Sequence, residues 1–255
     1  MNQHTLIPLL ATIVYLVPLV LLLLHRPWPK QGILFLLYLV PAMLYSMADF
    51  LLRAGTQAVD EELLVKIIIC LAIAMIVQFH CVLRSYATNS IDRTSALGYV
   101  AFGGIIVLTA LDFVPQHVEI TDDSFSVRYG LWLLPLVVFL LALILQDLYL
   151  LRRRFKASTQ TQERNQLLYL VVATFVGTIF ILSSLTPNGT EYATGHIGNL
   201  AVALIIVYAI VAHRLMDVGA ALRRALVYFW LAVITGLAYG LLFWLASIIF
   251  DFEWT

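Results

Sequence analysis

The sequence predicts an all-α fold, a polytopic membrane helical bundle of eight spans. Three observations carry this. Of 255 residues, 62% are hydrophobic and 12% charged, whereas roughly a quarter of a water-soluble domain is charged. The apolar residues gather in blocks of about 20, the length a helix needs to cross a bilayer core. Cations concentrate in alternate connections, the asymmetry that orients membrane proteins.

The apolar blocks are Thr5–Leu24, Gly32–Leu52, Leu63–Val82, Leu97–Val114, Leu131–Leu151, Leu167–Leu185, Gly195–Ala212 and Leu226–Phe250. Short connections make consecutive helices antiparallel neighbours. The N-terminal run lacks a basic leader and is longer than a signal core, so it reads as the first span.

Sidedness follows from the cations. Arg26 and Lys30 follow span one, and Arg84 and Arg93 follow span three. Arg152, Arg153, Arg154, Lys156 and Arg164 follow span five, and Arg214, Arg223 and Arg224 follow span seven. Twelve of the fifteen Lys and Arg thus fall on one side. Most of the acid lies on the other, including Asp60, Glu61, Glu62, Asp112, Asp122 and Asp123. The basic loops are therefore expected in the cytoplasm, with the N-terminus outside. Eight spans leave two readings open. The chain is a compact eight-helix protein, or it is the front of a longer one that returns to the cytoplasm through a further span.

Motifs for chemistry are sparse. There is no G-x-S-x-G, no H-E-x-x-H and no glycine-rich phosphate loop. The six histidines, His4, His25, His80, His117, His196 and His213, are scattered without ligand spacing. No metal or cofactor is expected, and nucleic acid is not an expected partner. Cys70 and Cys81, eleven residues apart on one helix, lie about 16 Å apart along its axis and read as free thiols. Gly103–Gly104 reads as a close-packing point within span four. "NGT" at 188–190 matches a glycosylation sequon, a pattern short enough to recur by chance.

Ionisable residues inside spans mark functional candidates, because burying charge in hydrocarbon is costly. Asp49 and Lys66 lie about one turn inside the outer rims of spans two and three. Two readings stand for them: a structural pair across a helical hairpin, or the polar edge of a ligand pocket. Tyr45 and Trp132 belong to an outer aromatic belt, part of which could roof a cavity. Tyr45, Asp49, Lys66 and Trp132 are thus the ligand-binding candidates. Asp147 is expected to sit at the inner interface beside Arg152–Arg154. Snorkelling or helix-to-helix hydrogen bonding accounts for Gln78 and His80.

The second half carries a more specific pattern. A Tyr-Gly enters a span in "VRYGLWLLPLVVFLLALILQDLYLLRRRF", and a basic exit follows with "ERNQ". A Gly-containing span then ends in "YAIVAHRLMD". This resembles the N-terminal seven-helix module of bacterial membrane histidine kinases and related signalling proteins. The likeness covers residues 1–217 and is most specific over 127–217. It implies a sensory input module in a bacterial cytoplasmic membrane. Such a module would bind a small apolar or amphipathic signal, contact membrane lipid, act as a homodimer and pass its state to cytoplasmic domains. No phosphoacceptor or ATP-binding signature occurs in these 255 residues, so the chain is not expected to be an enzyme by itself.

The simplest family members enter the cytoplasm directly after span seven. Here "GAALRRALVY" leads into an eighth span instead. The expected organisation is a sensory module over 1–217, a cytoplasmic amphipathic junction over 218–225, and the eighth span with a cut-off end over 226–255. His213, Arg214, Asp217, Arg223 and Arg224 are the relay candidates. Two other classes remain open: a small-molecule transporter or channel, and an intramembrane lipid enzyme.

Overall fold

A computed structural model describes residues 3–24, 30–55, 60–88, 93–115, 117–121, 124–128, 130–184, 194–213 and 220–249. Eight helices occur among them: α1 (Gln3–Leu24), α2 (Lys30–Arg53), α3 (Glu61–Ala87), α4 (Arg93–Ala110), α5 (Leu133–Ala157), α6 (Thr161–Ser184), α7 (Thr194–His213) and α8 (Ala220–Ile249). Each overlaps one apolar block of the sequence. Six of them, α1 to α6, are long and apolar enough to cross a membrane, and α7 and α8 contain shorter apolar stretches.

One element departs from the all-helical expectation. Between α4 and α5 the strands β1 (His117–Thr121) and β2 (Ser124–Arg128) form an antiparallel hairpin, with His117 opposite Arg128 and Thr121 opposite Ser124. Its cause is visible in the sequence. Val118 and Ile120 alternate with polar neighbours, as do Phe125 and Val127, and two aspartates separate the runs. That is a strand-turn-strand signal.

Helix ends follow local chemistry. Asp60 caps α3, its carboxylate accepting from the Glu62 amide, which satisfies an otherwise orphaned donor. Gly55 closes α2 at φ 62°, in the left-handed region that costs glycine nothing.

Consecutive helices pack as hairpins, with α2 against α3 and α6 against α7 the most extensive pairs. The chain then closes on itself: α1 also packs against α7 and α8, and α3 against α5. The main core joins Tyr15, Phe35, Leu39, Leu83, Leu151 and Ile210, all almost wholly buried. A second core lies among α2, α3, α4 and α5 around Ile73, Val77 and Ile105. Outward faces are apolar as well; Leu10, Val107, Leu145 and Phe175 are all exposed.

The α6–α7 contact depends on a missing side chain. A Cβ on Gly198 would collide with the Phe180 Cβ, so only glycine lets these helices approach so closely. In the last turn of α5, Arg154 bonds Glu163 through Nε at 2.9 Å and donates from Nη1 to the Ala87 carbonyl. One guanidinium thereby ties the α5–α6 turn to the end of α3.

Candidate functional site

A cavity of about 250 Å³ lies among α2, α3, α5, α6 and α7. Its wall is mostly aliphatic. On α3 the lining runs from Val65 to Leu83, about 27 Å of helix at 1.5 Å per residue. Two polar clusters interrupt it, one at each end.

One cluster, at the end of the cavity that the sequence reading expects outside and called outer below, joins α2 to α7. His196 bonds Asp49 Oδ2 through Nε2 at 2.8 Å, and its Nδ1 lies 3.0 Å from Ser46 Oγ. Arg53 Nε donates to the same Asp49 oxygen at 2.7 Å. Tyr45 stacks on the imidazole, ring centroids 4.5 Å apart. Ser46, Asp49 and Arg53 share the α2 face because their spacing of three and four residues repeats with the helical turn. Ser46, Asp49 and His196 are 1%, 6% and 2% exposed, so the bonds replace water that these groups have lost.

The tautomer follows from the partners. A carboxylate only accepts, so His196 Nε2 carries hydrogen and Nδ1 is free to accept from the Ser46 hydroxyl.

The inner cluster joins α3 to α5. His80 Nδ1 lies 2.8 Å from Asp147 Oδ2, and Arg84 Nε lies 3.6 Å from Oδ1 of the same carboxylate. The other ring nitrogen of His80 lies 3.5 Å from Thr94 Oγ1, which adds α4. All three titratable groups are buried.

The sequence candidates divide between these surroundings. Tyr45 and Asp49 line the cavity. Lys66 does not pair with Asp49. It bonds Glu62 on its own helix and Asp112 beyond α4, the latter at 2.6 Å, while Asp49 is taken by Arg53 and His196. The reason is reach: Arg53 lies one turn along α2, and Lys66 is drawn to the acid at the rim. Trp132 packs edge-on to Phe113, centroids 6.2 Å apart, and is half exposed away from the cavity lining. Asp147, expected at the interface beside its own helix's arginines, instead reaches across to α3. His196 and Ser46 were not singled out by sequence reasoning.

Among the relay candidates, His213 ends α7. Its ring stacks on Tyr169 of α6 at 4.8 Å, and its carbonyl accepts from Gln166 Nε2 at 2.9 Å. Arg214 and Asp217 lie outside the described residues. Arg223 and Arg224 belong to the first turns of α8, which runs unbroken from Ala220, so the described part of the expected junction is continuous with that helix. Arg224 is exposed.

Ser46, His196 and Asp49 form a Ser-His-Asp chain in which Ser46 meets Nδ1 and Asp49 meets Nε2, the reverse of the ring-nitrogen use in a serine-hydrolase triad. Asp49 and His196 line the cavity, but Ser46 does not. Among the described residues no group of three or more His, Cys, Asp or Glu could hold a metal ion. Comparison with protein-family models found no match, and comparison with curated proteins found none either.

Proposed function

We propose that the chain is the membrane-embedded sensory input module of a bacterial histidine-kinase-type signalling protein. On this reading all eight helices span a cytoplasmic membrane, with the N-terminus outside, and the cavity takes a small apolar or amphipathic ligand. The apolar outward faces and the basic connections support that placement. One observation carries the reading: α7 contributes His196 to the outer end of the cavity and His213 to the inner end of the bundle. The two lie on one unbroken helix about 26 Å apart. A ligand that moves His196 therefore moves the junction to α8, and occupancy biases two arrangements of the bundle.

The test uses radiolabelled dodecanol and the protein in phosphatidylcholine nanodiscs. Binding should be saturable. Ala72→Trp, which fills the cavity, should abolish it, while Leu145→Trp on an exposed face should not. Equal binding to both variants contradicts the reading.

A second reading draws on the buried His–Asp pairs at both ends of one cavity, an arrangement suited to proton-coupled transport. Specific solute flux in liposomes under a proton gradient would favour it, and a tight seal would exclude it.

A further inference from the structure

Away from the cavity, α5 presents one continuous outward face. Val138, Ala142, Tyr149, Arg152, Arg153 and Lys156 are all exposed, and steps of three, four and seven residues put them on one side of the helix. The face is apolar at Val138 and Ala142, amphipathic at Tyr149 and cationic over the final turns. Asp147 lies on the opposite side, where it meets His80 of α3. The four cations that end α5 differ in what they do. Arg154 turns into the bundle, to Glu163 and the Ala87 carbonyl. Arg152, Arg153 and Lys156 make no ion pair among the described residues. Both oxygens of Glu163 are taken, one by Arg154 and one by the Ser158 hydroxyl. Arg164 of α6 lies over the Phe155 ring at 4.9 Å and adds positive charge at this end.

Sidedness asks only for cations in the connection. It does not ask that three of them continue an exposed apolar stripe with a tyrosine between. Ala142 lies about 15 Å along the axis from Arg152, roughly half of a bilayer's hydrocarbon thickness. A partner that fits this face carries its anion at the head of hydrocarbon chains. From this complementarity, and resting on the membrane placement proposed above, we infer that the outward face of α5 binds an anionic phospholipid. Arg152, Arg153 and Lys156 hold its phosphate, the Tyr149 hydroxyl donates to it, and an acyl chain lies along Ala142. The planar arginine forks suit phosphate oxygens, whereas a zwitterionic headgroup brings an ammonium that the same cations repel. Each cation near an anionic membrane surface is worth about fivefold in affinity, so the three together give about a hundredfold.

Native mass spectrometry of the full chain in dodecyl maltoside micelles reads which lipids stay bound. Phosphatidylglycerol and phosphatidylcholine with identical acyl chains are titrated separately. The first phosphatidylglycerol should bind more tightly than phosphatidylcholine, and excess inorganic phosphate should not displace it. Arg152→Gln, Arg153→Gln and Lys156→Gln combined should weaken it by about a hundredfold, and a melting transition shows that this variant folds. Arg152→Lys with Arg153→Lys keeps the charge and should keep most of the binding. Lys30→Gln with Arg93→Gln removes two exposed cations elsewhere and should leave binding unchanged. Equal affinity for the two lipids, displacement by phosphate, an undiminished triple variant or an equal loss in the Lys30–Arg93 pair overturns the inference and leaves the membrane placement standing. Release of both phospholipids, with failure to insert into vesicles of either, overturns both.

Discussion

His196 Nε2 stands 2.8 Å from Asp49 Oδ2, and this bond ties α7 to α2 across 147 residues of sequence. Neither group keeps a water shell, so each depends on the other for satisfaction. Asp49→Ala should leave the imidazole and the Arg53 guanidinium facing a hole, at a cost of about 3–5 kcal/mol. Ser46→Ala removes a neutral hydrogen bond and should cost about 0.6–1.7 kcal/mol, the range for such bonds in membrane proteins. Thermal unfolding in detergent micelles reads both. Combined with His196→Gln, Ser46→Ala should cost less than the sum of the single changes, since both act through one bond.

The inner pair should behave as an independent clamp. Asp147→Ala removes the partner of His80 and Arg84 together, and should destabilise by about 3–5 kcal/mol. Its effect should add to that of Ser46→Ala, because the two clusters share no partner. A double-mutant cycle measures this.

Glycines at two positions should answer oppositely. Gly198→Ala drives a methyl into Phe180 and should cost at least about 1–3 kcal/mol through overpacking. Nothing lies within 4 Å of a Cβ built on Gly103. Gly103→Ala should therefore be neutral, or stabilising by about 0.5–1 kcal/mol through helix propensity. Melting temperatures of the two variants settle the contrast.

Gln166 holds the end of α7 through the His213 carbonyl. Gln166→Ala should raise amide hydrogen exchange over residues 208–213 and leave the segment around His196 unchanged. Uniform change along α7 would mean that the bond does not act locally.

Much of the helical plan was legible because apolar block length is a local property. Each block from Thr5–Leu24 to Leu226–Phe250 overlaps a helix of the structure. The strands over 117–121 and 124–128 are equally legible in their alternation, although acidic residues on a loop between two spans account for the same stretch. The site was harder to read. Asp49 and Tyr45 stand out because they are polar or aromatic at a rim, yet their partner is not a sequence neighbour. Whether Asp49 meets Lys66 or His196 depends on which helix packs against α2 at that depth, and hydropathy does not encode this. His80 and Asp147 escaped for the same reason: each has an adequate local explanation, and only the α3–α5 contact brings them together.

The central claim is that occupancy of the cavity moves α7. Spin labels at Gln160→Cys and Ala212→Cys, in a Cys70→Ser, Cys81→Ala background, place one probe before α6 and one at the end of α7. Pulsed electron–electron distance measurement in nanodiscs, with and without saturating dodecanol, tests it most directly. The account predicts a shifted distance distribution on binding. Superimposable distributions at a concentration where binding is saturated would contradict it.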